Sequence, residues 1–522
     1  MNPSFRQKIA VLHDWGGLVA GWLLFAVFLT GTLSYCRQEI SLWMRPELPA
    51  ASASVDAARA ADKMAARLND IAPDAARWLI IPPDPRNPTG SVAAWRDRGG
   101  GPRFLRETLD AEGRPVTARA TMGGDFFYYF HFDLHMPSFW GRLLVGVATG
   151  GLLAALVSGV IIHRRIFTDF FTLRLNKAPP RAWLDAHNLT AVTALPYHFM
   201  IGYSGLVTLM VLYLPWGIDA AYRGDRAAYF AEAAIARAIP PPAGPAATAP
   251  LGPLLNEAAR RWGGAPPGRI EIFRPNDRAA LIEISPHESA GLAYLSPKMV
   301  FAGVSGDSAS TADGLGPAGQ TRAVLYGLHL ARFADWPLRW LFALSGAAGT
   351  LMIASGLLLW TAKRRPAAGQ AWRPGVRFAE GLNVATLVGL PAACAALLWA
   401  NRLLPVGLAE RAAAEGLAFF AVWAAAGLHA AGSHAAGSHA AGRPPAAAWR
   451  EQCAAAATLL ILLPGMNALT SAQDLTVTLG AGDWARAGVD LVALVCGLGF
   501  AGLAVYFGRR AAAPALQEKP SC

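Results

Sequence analysis

HDWGGLVAGWLLFAVFLTGTLSY, residues 13–35, opens with a histidine and an aspartate and then carries almost only apolar side chains. From about Gly16 to Tyr35 it is long enough to cross the roughly 30 Å hydrocarbon core of a bilayer as one helix. Arg6 and Lys8 precede it, but the run is too long for a signal-peptide core and has no small-residue cleavage site. It therefore reads as an uncleaved first span.

Comparable runs lie at about 16–40, 139–163, 188–215, 336–361, 379–404, 412–430, 452–472 and 484–507. The expected fold is a mainly α membrane protein of about eight transmembrane helices. The composition agrees: 54% of the 522 residues are hydrophobic and 16% charged, a balance that would keep a globular surface poorly solvated. An even number of crossings puts both termini on one side.

The net charge of +11 would suit a nucleic-acid binder if it were spread over a soluble surface. Instead Arg164, Arg165, Arg174, Lys177 and Arg181 follow the second run, Lys363, Arg364, Arg365, Arg373 and Arg377 the fourth, and Arg509 and Arg510 the last. Such clusters mark cytoplasmic loops, so the pattern implies a multi-pass protein of the bacterial inner membrane with both termini cytoplasmic, a lipid environment and no nucleic-acid partner. Cys36, Cys394, Cys453, Cys496 and Cys522 form no C-x-x-C pair, which excludes a zinc ribbon, a disulfide framework and covalent haem attachment.

Two long polar segments then face the periplasm. The first reads as a helix over 55–68 followed by strands at RWLIIPP, SVAAWRD and RFLRETLD, with a turn at AEGRP. The second repeats that order after a Pro/Ala-rich linker, 239–250, with a helix over 254–262 and strands at RIEIFRP, ALIEISP and AYLSPKM. The chain divides into a first span (1–40), a small α+β periplasmic domain (41–130), a second span (131–165), a cytoplasmic loop (166–187), a third span (188–215), a second small α+β domain (216–328), a fourth span (329–365) and a C-terminal four-helix region (366–522).

The spans repeat as well. His13 and His187 open the first and third, and a three-residue insertion brings His135 onto His329, Arg142 onto Arg339 and Ser158-Gly159 onto Ser355-Gly356. Seven histidines, His13, His131, His135, His163, His187, His198 and His329, gather at or within these four spans, in an outer and an inner layer. In HFDLH the spacing of four puts both imidazoles on one helical face, and His198 lies about three turns along from His187. Ionisable groups at membrane depth are costly and usually have a function. Two layers of imidazoles match two b-type haems, each held by two histidines from two helices. His135 with His329 suits the outer haem, with Arg142 and Arg339 placed for its propionates. For the inner one, repeat symmetry favours His13 with His187, whereas depth favours His198 with His163.

The last third offers less. Its four helices show no paired intramembrane charge, and Asp474, Asp483 and Asp490 fall near helix ends. HAAGSHAAGSHAAG, with His429, His434 and His439, spaces its imidazoles by five, which does not align them on a helical face and fits a slipped loop repeat better than a metal site.

HDWGGLVAGWLLFAVFLTGTLSY, the LH…GRLL…SG pattern of the second span, RAWLDAHNLTAVTALPYHFMIGYSGLV and LYGLH…LLLW…KRR together resemble the PepSY-associated transmembrane family, over about residues 5–365. Within it the likeness is to iron-regulated membrane proteins described as iron-uptake factors. The resemblance implies that the two periplasmic domains are PepSY-like, that two b haems lie between four helices, and that a ferric siderophore or similar chelate is reduced outside with electrons from a cytoplasmic or quinol donor. His13, His135, His187, His198 and His329 match the family's recurring histidines, and His163 those of a subgroup. Fe(II) is softer than Fe(III), so hard oxygen chelators release it. Two other readings compete: a siderophore or metal permease using the extra helices, and a non-catalytic binding or regulatory membrane protein with structural histidines.

Overall fold

The computed structural model describes residues 4–50, 56–97, 103–163, 167, 171–174, 178–232, 239–294, 298–311, 317–366, 370, 372–436 and 445–512. Arg164, Arg165, Lys177, His439 and Cys522, used above, lie outside the described residues. The chain forms two compact units, one built from 1–46, 119–202 and 343–522, the other from 47–118 and 203–342.

The first unit is helical. Among the described residues seven helices are long and apolar enough to cross a membrane: Phe5–Ser34, Ser138–Ile162, Trp336–Ala362, Pro374–Leu403, Arg411–Ser433, Ala446–Thr470 and Trp484–Arg509. The protein is thus a multi-pass, mainly α membrane protein. Ser4 starts the first helix with a reciprocal cap, its hydroxyl accepting from the Gln7 N–H while Gln7 Oε1 accepts from the Ser4 N–H.

The expected third span is not one helix. It breaks into Pro179–Thr193, Leu195–Thr208 and Met210–Tyr213, with non-helical turns at Ala194 and Leu209. Pro196 has no N–H to give the Val192 carbonyl, and the Ala194 N–H takes that acceptor instead. The break falls between His187 and His198, so the three-turn relation read from an unbroken helix does not hold.

The second unit holds a seven-stranded antiparallel sheet. Its strands are β1 (Arg77–Ile81), β2 (Gly90–Trp95), β3 (Phe104–Leu109), β4 (Pro267–Phe273), β5 (Leu281–Pro286), β6 (Met299–Ala302) and β7 (Ser308–Thr311). The order is β3-β2-β1-β4-β5-β6-β7. Each sequence repeat supplies a helix and its hairpins, as expected, and β1 pairs with β4 from Arg77↔Phe273 to Ile80↔Ile270, so the two copies share one sheet. Of AYLSPKM, residues 295–297 lie outside the described residues; β6 begins at Met299, the last residue of that stretch, and forms a hairpin with β7.

Alternation along the strands sends Trp78, Ile80, Val92, Ile270, Ile272 and Ile282 to one face, where they are all but fully buried. Helices Ala57–Ile71 and Leu251–Arg261 close that core with Met64, Leu68, Leu255 and Ala258. The copies are also stitched by a cap: the Asp62 carboxylate of the first helix accepts from the N–H groups of Leu251 (2.7 Å) and Gly252 (3.1 Å), the first turn of the second. Gly113 makes the AEGRP turn at φ +79°, where a Cβ would also meet the Lys63 carbonyl at 2.8 Å.

Candidate functional site

A small hydroxyl residue followed by glycine occurs in each of the first four expected spans, and in one instance per span, Thr30-Gly31, Ser158-Gly159, Ser204-Gly205 and Ser355-Gly356, the glycine meets a histidine. Each glycine faces a histidine from a different helix. A Cβ on Gly31 would lie 2.7 Å from the His131 ring, on Gly159 3.4 Å from His13, on Gly205 2.9 Å from His329 and on Gly356 3.2 Å from His187. At Gly31 and Gly205 a Cβ would displace the imidazole, whereas at Gly356 the contact is tight and at Gly159 it is close to ordinary packing.

The partnership is reciprocal within each repeat. The first helix gives His13 to Gly159 and takes His131 against Gly31; the third run gives His187 to Gly356 and takes His329 against Gly205. The same sequence offset relates His13 to His187 and Gly31 to Gly205, and one other relates Gly159 to Gly356 and Arg142 to Arg339. His131 is therefore the counterpart of His329, and the alignment of His135 onto His329 is corrected.

The backbone explains the correction. Helix Asp125–Asp133 ends in a left-handed turn, with φ +58° at Leu134 and +51° at His135, matching the +51° of Ala331 just after helix Pro317–Leu330. His135 thus lies past the helix end, and the two imidazoles of HFDLH do not share a helical face. The His135 Nε2–H donates to the Phe126 carbonyl (2.9 Å), and its ring packs 4.4 Å from that of Phe126.

The other rings are oriented through Nδ1. His131 Nδ1–H donates to the Val27 carbonyl (2.8 Å) and His187 Nδ1–H to the Met352 carbonyl (2.8 Å). Ser158 gives its own proton to the Ala155 carbonyl (3.0 Å), so its oxygen accepts from His13 Nδ1–H (3.0 Å). His329 Nδ1 lies 3.2 Å from Ser204 Oγ. A neutral imidazole protonated at Nδ1 carries its lone pair on Nε2, the arrangement in which histidine serves as a metal ligand.

His13 and His187 come together, their ring centroids 6.3 Å apart and their planes at 77°. His198 is fully buried, and neither of its nitrogens makes a well-aligned hydrogen bond among the described residues; the nearest polar groups are the Ala191 and Ser345 backbone. It faces Gly349, where a Cβ would lie 3.1 Å from Nε2, and its ring sits 6.1 Å from Phe28. A poorly made buried hydrogen bond is costly, so this ring has bonding capacity left over. His163 caps the second span and is half-buried. The Arg142 guanidinium lies over the Phe132 ring at 5.2 Å; Arg339 is buried, lies over Trp336 at 5.2 Å and donates to the Ala334 carbonyl.

A haem fits this chemistry. The test rests on the glycine-backed, Nδ1-anchored rings and on the bonding capacity left over at His198. No group of three His, Cys, Asp or Glu among the described residues is placed to hold a bare metal ion. His429 binds Glu451 (2.9 Å) and Gln452 (3.2 Å), joining two C-terminal helices.

The last third does contain buried paired charge, contrary to expectation. Arg411 and Glu415 form an ion pair with both side chains at most 1% exposed, and Arg486 pairs with Asp483. Asp490 is fully buried and accepts from Trp43 Nε1 and Asn467 Nδ2, each at 3.0 Å. Arg411 and Glu415 stand four residues apart and Asp483 and Arg486 three, spacings at which helical side chains meet, so the pairs could be read from the sequence but their burial could not. The hydroxyl-glycine dipeptides were legible, but only the fold shows which histidine each one meets.

A protein of Pseudomonas aeruginosa described as uncharacterized is 30% identical over 313 residues, which cover 56% of this chain and 76% of the relative. The family described as the PepSY-associated TM region matches residues 10–363, the stretch that carries these four hydroxyl-glycine dipeptides and the histidines they face. The chain belongs to that family.

Proposed function

We propose that this protein carries electrons across the bacterial inner membrane on two b-type haems and reduces a ferric siderophore or similar ferric chelate on the periplasmic side. The observation that carries the reading is the pair His13 and His187, two glycine-backed imidazoles anchored at Nδ1 with their ring centroids 6.3 Å apart. A bound haem supplies one-electron transfer. The chain's own residues do the rest.

His13 and His187 hold the inner position. Their ring centroids lie 6.3 Å apart, and together they would hold the iron of one haem. Gly159 and Gly356 leave those rings room, and Ser158 and the Met352 carbonyl fix their tautomers. His131, His198 and His329 are the remaining candidate ligands, with His135 and His163 as flanking groups, and Arg142 and Arg339 offer guanidiniums to propionates. The cytoplasmic termini and the periplasmic sheet follow from the basic loops. The donor is a cytoplasmic reductant or a membrane quinol.

The test is spectroscopic. Pyridine haemochrome quantitation of the purified protein gives two b haems per chain, and addition of a ferric siderophore to the dithionite-reduced protein restores the oxidised spectrum. A colourless protein, or a reduced spectrum that persists with the chelate, overturns the proposal.

A further inference from the structure

Residues 366–522 have no part in the haem reading, yet they grip the segment that leads into the outer histidine helix. Helix Asp125–Asp133, which carries His131, is entered through Arg119–Gly124. That entry is held by three hydrogen bonds to the C-terminal helices, and the helix itself by ring packing. Arg411 Nη1 donates to the Ala120 carbonyl (3.0 Å) and Arg119 Nη1 to the Asn401 carbonyl (2.9 Å). The Thr121 hydroxyl donates to Glu415 Oε2 (2.5 Å), and below it Phe126 and Phe130 pack on the Phe419 ring at 4.9 and 5.5 Å.

We infer that Glu415 is a positioning residue for the outer histidines, acting through Thr121. The Thr121 oxygen faces both ways: it donates to Glu415 and accepts from the Gly123 N–H (3.0 Å). The next amide, Gly124, donates to Ser41 Oγ (2.9 Å), and Gly124 is the residue from which the helix starts. Both glycines are pressed against the chain at Arg37 and Ser41, so the entry has no slack. Glu415 is itself fixed by Asn401 Nδ2 (2.8 Å) and by the buried Arg411 guanidinium. A carboxylate held this way in an apolar interior is a rigid reference point, because releasing it leaves Arg411 uncompensated. The far end of the helix sets His131 against Gly31 and the Val27 carbonyl, so a shift at Thr121 is delivered to that imidazole.

The inference rests on the haem reading for its consequence but not for its mechanics, and two readouts separate them. Thr121→Val removes the hydroxyl and keeps the shape, and Glu415→Gln keeps an acceptor for Asn401 and an amide for Thr121. Hydrogen exchange in the full-length protein follows the amides of 123–133. In Thr121→Val they exchange about tenfold faster or more, while those of the first helix near His13 do not change. Redox titration of the same sample then shows one of two midpoint potentials moved and the other unmoved, and Glu415→Gln, which takes the counter-charge from buried Arg411, speeds the same amides and moves the same potential. Unchanged exchange in Thr121→Val, or faster exchange with both potentials unmoved, overturns the inference. If the parent protein holds no haem, the functional proposal fails on its own and the exchange of 123–133 alone decides this one.

Discussion

His13 of the first helix and His187 of the third run, related by the internal repeat, meet edge to face with their ring centroids 6.3 Å apart. If they share one iron, their contributions do not add. His13→Ala, His187→Ala and the double variant each lose the same single haem, and pyridine haemochrome quantitation returns about half the parent value for all three. A double variant that loses twice as much as either single places the two rings on different haems.

Glycine 31 is a matter of space. A Cβ there would lie 2.7 Å from the His131 ring, whereas Gly16 has nothing within 4 Å. Gly31→Leu displaces the imidazole and costs about 1–3 kcal/mol of overpacking; it alters the low-spin spectrum and lowers Tm. Gly16→Leu leaves both unchanged. Equal effects of the two variants would point to general helix disturbance.

Asp62 caps the helix of the other repeat. Asp62→Ala exposes the N–H groups of Leu251 and Gly252 and destabilises the sheet unit by about 1 kcal/mol, with Asp62→Asn in between. Proteolytic susceptibility within 245–262, compared across the three proteins, reads the loss.

Asp277 anchors the linker before the second copy. Its carboxylate accepts from the N–H groups of Ala279 (2.8 Å), Ala243 (2.9 Å) and Gly244 (3.1 Å), and these bonds hold it below the usual carboxylate range. A depressed folded-state pKa gives stability that is present above the ordinary carboxylate value near 3.9 and is lost as pH falls through the folded value. The 239–250 segment therefore stays protected from an acid-active protease at pH 5 and opens only in strong acid. Asp277→Asn removes that pH dependence, and opening already at pH 5 would sink the account.

Apolar run length was enough to read seven of the eight expected spans, because it answers to the bilayer rather than to neighbouring side chains. The strands of the sheet were legible for the same local reason. The join of β1 to β4 was not, since an edge strand looks the same whether or not a partner lies beside it. At the candidate site the histidines stood out as costly groups in apolar surroundings. Their pairing was misread at HFDLH, where spacing implied a helix running through His135 and the backbone instead turns left-handed at Leu134. Pro196 was visible, but its effect on the third run depends on whether nearby packing keeps the helix straight. The ion pairs of Arg411 with Glu415 and of Arg486 with Asp483 stand at helical spacing in the chain, but only the fold shows that they are buried.

The shared sheet has a consequence for how such a chain arose. With β1 bonded to β2 on one flank and to β4 on the other, a polypeptide trimmed to one repeat would bare a full row of amide and carbonyl groups. A single-copy ancestor closes the same seam by dimerising edge to edge through β1. Once the genes fused, the register from Arg77↔Phe273 to Ile80↔Ile270 became a constraint on both halves at once, so neither half can drift without the other.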